Sequence, residues 1–161
     1  MNQDRKYDVV IFGASGYTGR LVAEYIEQRY GTTGLKWAMA GRSIEKLAQV
    51  RAEMKIKESV DLICVDSDST ESVTSLVTST KVVITTVGPY QLYGTTLVEQ
   101  CAEHGTDYVD LCGEPSWMYQ MINRYKDKAQ SSGARIVFSC GFDSIPFDLG
   151  VWHLQQHAIA N

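Results

Sequence analysis

Apolar residues along this chain follow two alternating rhythms. Short β-rich runs recur at Tyr7 to Phe12, Leu35 to Ala40, Val60 to Val65, Val82 to Val87, Tyr108 to Leu111 and Ile136 to Ser139, with the length and composition of strands. Between them the spacing changes to three and four. Leu21, Val22, Tyr25 and Ile26 share a face, as do Ile44, Leu47, Ala48 and Met54, and Val73, Leu76 and Val77; further on come Leu97, Val98, Cys101 and Ala102, then Met118, Met121, Ile122, Tyr125 and Ala129. Each set predicts a helix with one packing face. Near-continuously apolar strands alternating with helices predict a parallel sheet covered on both sides. The expected fold class is therefore α/β, a doubly wound three-layer αβα sheet of the Rossmann type with strand order 3-2-1-4-5-6. After the sixth strand, the loop Cys140-Gly141-Phe142-Asp143-Ser144-Ile145-Pro146 leads into a last helical run through Phe147, Leu149, Gly150, Trp152 and Leu154.

Composition narrows the function. At 161 residues and 44% hydrophobic, the chain can bury the core of one domain and is too short for two. A six-stranded nucleotide fold uses that length, so residues 1–161 read as a cofactor-binding domain whose substrate domain is absent from the chain. Fifteen Lys and Arg against nineteen Asp and Glu leave a net charge of −4 with no basic block, which argues against nucleic acid or an anionic membrane as partner. The start, Met1-Asn2-Gln3-Asp4-Arg5-Lys6, lacks a signal-peptide core, and no run reaches the ~18 apolar residues of a membrane span. A soluble, cytoplasmic protein is expected. Cys64, Cys101, Cys112 and Cys140 lie in apolar segments without C-x-x-C spacing, so buried thiols, with neither disulfide nor zinc, are expected. Trp37, Trp117 and Trp152 read as core or interface residues, since no basic groove accompanies them.

The chemistry concentrates at Asp8 to Gly19, where a strand turns abruptly into a helix through Gly13, Gly16 and Gly19. In such a turn the first glycine allows the tight bend, the second lets backbone approach a pyrophosphate, and the third lets helix and strand pack closely. The helix then points free N–H groups and its positive dipole end at the same place, which favours a dianion. About twenty residues on, where a carboxylate would accept the adenosine ribose hydroxyls, stands Ala40-Gly41-Arg42-Ser43. The guanidinium of Arg42 and the hydroxyl of Ser43 suit a phosphate monoester, so the expected cofactor is NADP (NADPH) rather than NAD. Lys46, a turn later, is either an added charge or a solvated face. Asp66 follows the third strand and reads as an adenine contact or as a loop or N-cap residue. Gly88 and Pro89 follow the fourth strand, where backbone would pass beneath the diphosphate and nicotinamide ribose.

These motifs together carry a resemblance. GASGYTG at Gly13 to Gly19, AGR at Ala40 to Arg42, VGPY at Val87 to Tyr90, GTDYVDLCGE at Gly105 to Glu114 and CGFDSIPFDLG at Cys140 to Gly150 resemble the N-terminal domain of the saccharopine dehydrogenase-like oxidoreductases and trans-acting enoyl reductases. The resemblance implies NADP-linked hydride transfer, with Gly13, Ser15, Gly16, Tyr17, Thr18 and Gly19 on the diphosphate, Arg42 and Ser43 on the 2′-phosphate, and Gly88 and Pro89 on the nicotinamide side. It also implies a second, substrate-shaping domain, so a small-molecule substrate would be met through a missing domain or partner chain. The isolated chain is expected to be inactive. Glu114 and Asp143, at the ends of the fifth and sixth strands, are candidates to orient substrate or relay a proton, or else cap a helix and close a loop.

Two other readings stand beside this one. GASGYTG also occurs in acyl-phosphate reductases, for which Cys140 would be the nucleophile, although no histidine neighbours it in sequence. A lone NADP-binding domain could instead be a redox sensor or partner subunit. His153 and His157, four apart, could chelate a metal but have no third ligand at helical spacing. Apolar surface that a missing lobe would cover could make a homodimer.

Overall fold

The computed structural model describes residues 5–160. Six strands run through it: β1 (Tyr7–Phe12), β2 (Trp37–Gly41), β3 (Asp61–Cys64), β4 (Thr80–Thr85), β5 (Asp107–Val109) and β6 (Ile136–Val137). Helices α1 (Tyr17–Tyr30) and α2 (Ile44–Glu53) connect the first three. Then come α3 (Thr70–Ser79), the short α4 (Tyr90–Tyr93), α5 (Thr95–His104), α6 (Pro115–Ser132) and, after β6, α7 (Ile145–Ala160). All strand pairings are parallel, in the order β3-β2-β1-β4-β5-β6. The predicted Rossmann-like topology is present, with the order reversing between β1 and β4 and the C-terminal strand ends opening on a crevice.

Strand alternation divides the core in two. Val10 and Phe12 of β1, Ala38 and Ala40 of β2, Val83 of β4 and Tyr108 of β5 pack with α3, α5 and α6 on one side. Ile11 and Met39 pack with Ala23 and Ile26 of α1 and Leu47 and Val50 of α2 on the other. Burying one such aliphatic side chain contributes about 1.5–3 kcal/mol, so both faces hold the sheet together around β1.

Several sequence expectations need correction. The buried face of α1 is Gly19, Ala23 and Ile26, whereas Leu21 and Tyr25 are exposed. The N-terminal turn of the helix lies against the β1 turn, so its packing stripe begins with the small residues Gly19 and Ala23 before Ile26. Cys101 and Cys112 are buried as expected, but Cys64, the last residue of the outer strand β3, and Cys140, in the loop past β6, are exposed. Trp37 and Trp117 are core residues, while Trp152 lies on the exposed α7. Strand β4 begins two residues early and ends at Thr85, because Thr80 is itself fully buried and Lys81 pairs with Asp8 at 2.7 Å.

Candidate functional site

The turn between β1 and α1 is fastened to itself and to the two neighbouring strands. The amides of Gly13 and Ala14 donate to the Ala40 carbonyl at 2.9 and 3.2 Å, and the Gly16 amide donates to Gly13 O at 2.9 Å. From the β4 side, the Thr86 hydroxyl donates to Gly13 O at 3.2 Å. Gly13 has φ +91°, and a Cβ there would stand 2.7 Å from Thr86 Oγ1 and 2.8 Å from Val87 Cγ2. At Gly19 the obstacle is backbone, with Gly13 O only 2.1 Å from an added Cβ. A Cβ at Gly16 would touch only Gly13 O, at 3.3 Å, which leaves that approach open.

Helix termini around the crevice differ in their electrostatics. Ser43 caps α2 by accepting from the Lys46 amide at 3.2 Å, and Glu45 sits in its first turn. Ser69 caps α3 in the same way, with Glu71 in its first turn. By contrast, α1 opens at Gly16 with no side-chain cap and no acidic residue in its first turn. Its orphan N–H groups and positive dipole end face the crevice uncompensated, the arrangement that binds phosphate.

A cavity of about 200 Å³ lies at this point. Of the residues singled out in the sequence, Gly13, Ser15, Gly16, Arg42 and Gly88 line it. Tyr17, Thr18 and Gly19 lie in the first turn of α1 beside it, with Tyr17 82% exposed. The Arg42 side chain is exposed and, among the described residues, has no ion pair. The Ser43 hydroxyl is engaged, donating to Glu45 Oε2 at 2.7 Å, and that bond draws the Glu45 carboxyl below its usual range. Asp66 is exposed and is not among the residues that line the cavity, its Oδ1 accepting from the Asp68 amide at 3.0 Å. Pro89 precedes α4 directly.

The sequence reading did not place Phe12, Gly41, Ser67, Thr86, Val87 and Tyr93 in the site, and these complete the lining. Position at or just past the C-terminal end of a strand could have flagged all but Tyr93, which is the last residue of α4. It also left open what Glu114 does. Its Oε1 and Oε2 accept from the amides of Tyr90 and Gln91 at 2.7 and 2.9 Å, so the carboxylate caps α4 across 24 residues of sequence and fixes the Gly88-Pro89 turn. Tyr90 is buried behind that turn, donating to Thr85 O at 3.2 Å, and burial pushes its hydroxyl pKa up. Asp143 is exposed in the loop before α7.

Asp110 was read only as part of a strand, yet it is the organising group at the ends of β5 and β6. Its buried carboxylate accepts from Tyr108 Oη at 2.7 Å, from the Cys112 amide at 3.0 Å and from the Ser139 amide at 2.7 Å. Burial raises its pKa despite these three donors. Beside it, burial and the Asp110 charge also raise the pKa of the Cys140 thiol, which leaves little thiolate for nucleophilic work. Cys140 should therefore react with iodoacetamide at neutral pH no faster than free cysteine; faster labelling, slowed by NADPH, would restore the acyl-phosphate reductase reading.

Comparison with known proteins places this geometry among relatives. A family model described as the saccharopine dehydrogenase NADP binding domain matches residues 9–137. The chain is 41% identical over 157 residues to a Caenorhabditis elegans protein named lipid droplet localized protein, covering 94% of this chain and 37% of that one. It is 41% identical over 155 residues to a putative trans-acting enoyl reductase of Mycobacterium tuberculosis, covering 96% and 36%. Among solved structures, apo saccharopine dehydrogenase (L-Glu forming) from Saccharomyces cerevisiae matches with TM-score 0.68 at 14% identity, over 85% of this chain and 28% of that one. Triphenylmethane reductase of Citrobacter sp., complexed with NADP(H), matches with TM-score 0.59 at 14% identity, over 82% and 48%. At such identities the structural likeness is one of fold. The chain spans little more than a third of the curated relatives' length.

Proposed function

The chain belongs to the saccharopine dehydrogenase NADP-binding domain family, and from that membership we propose that it holds NADPH for hydride transfer in an oxidoreductase of the enoyl reductase type. One observation carries the reading: α1 presents an uncapped, carboxylate-free N-terminus to the cavity, where α2 and α3 open on serine caps with a glutamate in the first turn, and Arg42, which makes no ion pair among the described residues, stands just past the neighbouring strand. The amides at Gly16 to Gly19, with Ser15, would hold the diphosphate. Arg42 would take the 2′-phosphate, joined by Ser43 once its hydroxyl turns from Glu45. Gly88 and Pro89, held by the Glu114 clamp, would support the nicotinamide side. Bound NADPH supplies the hydride itself. The chain's own residues bind and orient the coenzyme, while substrate is met through further polypeptide, in keeping with the greater length of the relatives. A cytoplasmic location belongs to the same proposal, and cell fractionation separates it from the lipid-droplet location in the nematode relative's name.

Calorimetric titration with NADPH and NADH tests the cofactor. Arg42→Ala should weaken NADPH by about 1.5–3 kcal/mol, the scale of a lost charged hydrogen bond, and leave NADH nearly unchanged. Equal losses for both coenzymes would remove the 2′-phosphate assignment, and no heat with either would remove the dinucleotide site.

A further inference from the structure

Helix α4 is only four residues long, too short to hold a helical turn by its own hydrogen bonds. The start of α6 holds it instead, at both ends. At the first end Glu114, the residue before α6, accepts from the Tyr90 and Gln91 amides. At the other, Trp117 lies so close to Gly94 that an added Cβ there would stand 2.7 Å from Trp117 Cζ2 and 2.8 Å from Tyr90 O. The Trp117 indole also donates to Thr95 Oγ1 at 3.1 Å, and its ring packs against Tyr90 with centroids 5.7 Å apart. Braced in this way, the short helix takes its position from α6.

Tyr93, the last residue of α4, is what this bracing presents to the crevice. It lines the cavity, is half-buried and, among the described residues, has no hydrogen-bond partner for its hydroxyl. Tyr90, one turn earlier, differs in each respect: it is buried, lies outside the lining and donates to Thr85 O. A phenol that borders a cavity with its donor unused is available to a ligand.

The lining has two sides. Gly41 ends β2, with Arg42 just after it, and Ser67 follows β3; across the glycine turn, Thr86, Val87 and Gly88 follow β4, and Tyr93 stands with them. With Arg42 taking the 2′-phosphate, the part of a dinucleotide that passes the glycine turn to the β4 side is its other half. Resting on that reading of the site, we infer that Tyr93 is a coenzyme-binding residue whose hydroxyl donates to the nicotinamide ribosyl phosphate, and that Glu114 is a positioning residue, acting through α4 to hold Tyr93 at the cavity wall. The ribose and phosphate of that half offer oxygen acceptors, and a phenol supplies one donor to them. Tyr93 therefore favours the intact dinucleotide over its adenosine half.

Calorimetric titration of the 161-residue chain with NADPH and with adenosine 2′,5′-bisphosphate tests this, since the second ligand keeps the adenosine phosphates and lacks the nicotinamide half. Tyr93→Phe removes the hydroxyl and keeps the ring. It should weaken NADPH about 10-fold and leave the bisphosphate unchanged. Glu114→Gln, which gives up one of its acceptor oxygens, should weaken NADPH about 3-fold or more and again spare the bisphosphate, whose binding also reports that each variant is folded. The losses should overlap, so that Tyr93→Phe costs less in the Glu114→Gln background than in wild type. A role in stability alone would lower the melting temperature without separating the two ligands. Unchanged NADPH affinity in Tyr93→Phe, an equal loss for both ligands, or full additivity of the substitutions would overturn the proposal, while bisphosphate binding that depends on Arg42 would still uphold the coenzyme site. No heat from wild type with either ligand would remove the site itself and this inference with it.

Discussion

Asp110→Ala is expected to destabilise the fold by about 3–5 kcal/mol, because it strands two amides and a tyrosine hydroxyl that are buried or nearly so, each costing about 1–3 kcal/mol when unpaired. The donors come from Tyr108, Cys112 and Ser139, so one truncation loosens the ends of two strands together. Asp110→Asn separates hydrogen bonding from charge. Its amide oxygen can keep the two backbone donors that meet Oδ1 and lose only the Tyr108 donation, a cost of about 1 kcal/mol. The pH dependence carries its own sign. Burial raises the folded-state pKa of Asp110 above its ordinary value, so the fold binds this proton more tightly than the unfolded chain does. The group's contribution is full below the ordinary carboxylate value and is lost as pH rises through the raised one. The gap between wild type and Asp110→Asn should therefore narrow from mildly acidic to neutral pH in urea denaturation. A gap that widens would reverse the sign assigned to burial.

Gly19→Ala should cost about 2–3 kcal/mol net, although alanine is the better helix former by about 1 kcal/mol. The new methyl would meet Gly13 O at 2.1 Å, Gly13 C at 2.7 Å and Ala14 Cα at 2.9 Å. All three atoms are backbone, so no side chain can rotate away and α1 must back off the turn. Overpacking of this kind costs about 1–3 kcal/mol, and more where nothing yields. For a chain this size the melting temperature should fall by about 5–10 °C, and coenzyme binding should weaken as the helix N-terminus retreats. Gly16→Ala is the control: its methyl has only the 3.3 Å contact with Gly13 O, so it should stay folded. Equal melting temperatures for Gly19→Ala and wild type would contradict the close approach.

Strand order and the glycine turn were legible because they rest on local pattern: apolar runs, helical spacing and three glycines between them. What escaped the sequence depends on distance along the chain. Glu114 caps a helix 24 residues earlier, and Asp110 receives a donor from Ser139; neither pairing leaves a mark in nearby residues. Helix α4 spans four residues, too few for a period to show. The face of α1 was misread because hydrophobic spacing favours Leu21 and Tyr25, while close packing selects Gly19 and Ala23. The exposure of Cys64 goes with its place at the end of an outer strand, since an apolar segment at an outer strand reads like one at the centre, and that of Cys140 with a sixth strand that stops at Val137, short of it.

The place of β1 in the sheet has a mechanical consequence. With β2 hydrogen-bonded on one side and β4 on the other, this strand is the last to fray, whereas β6 offers two residues to a single neighbour. Amide protection should fall outward from Val10 and Ile11 toward Val137. The scaffold under the glycine turn should thus exchange most slowly, with opening concentrated toward the margin at β6.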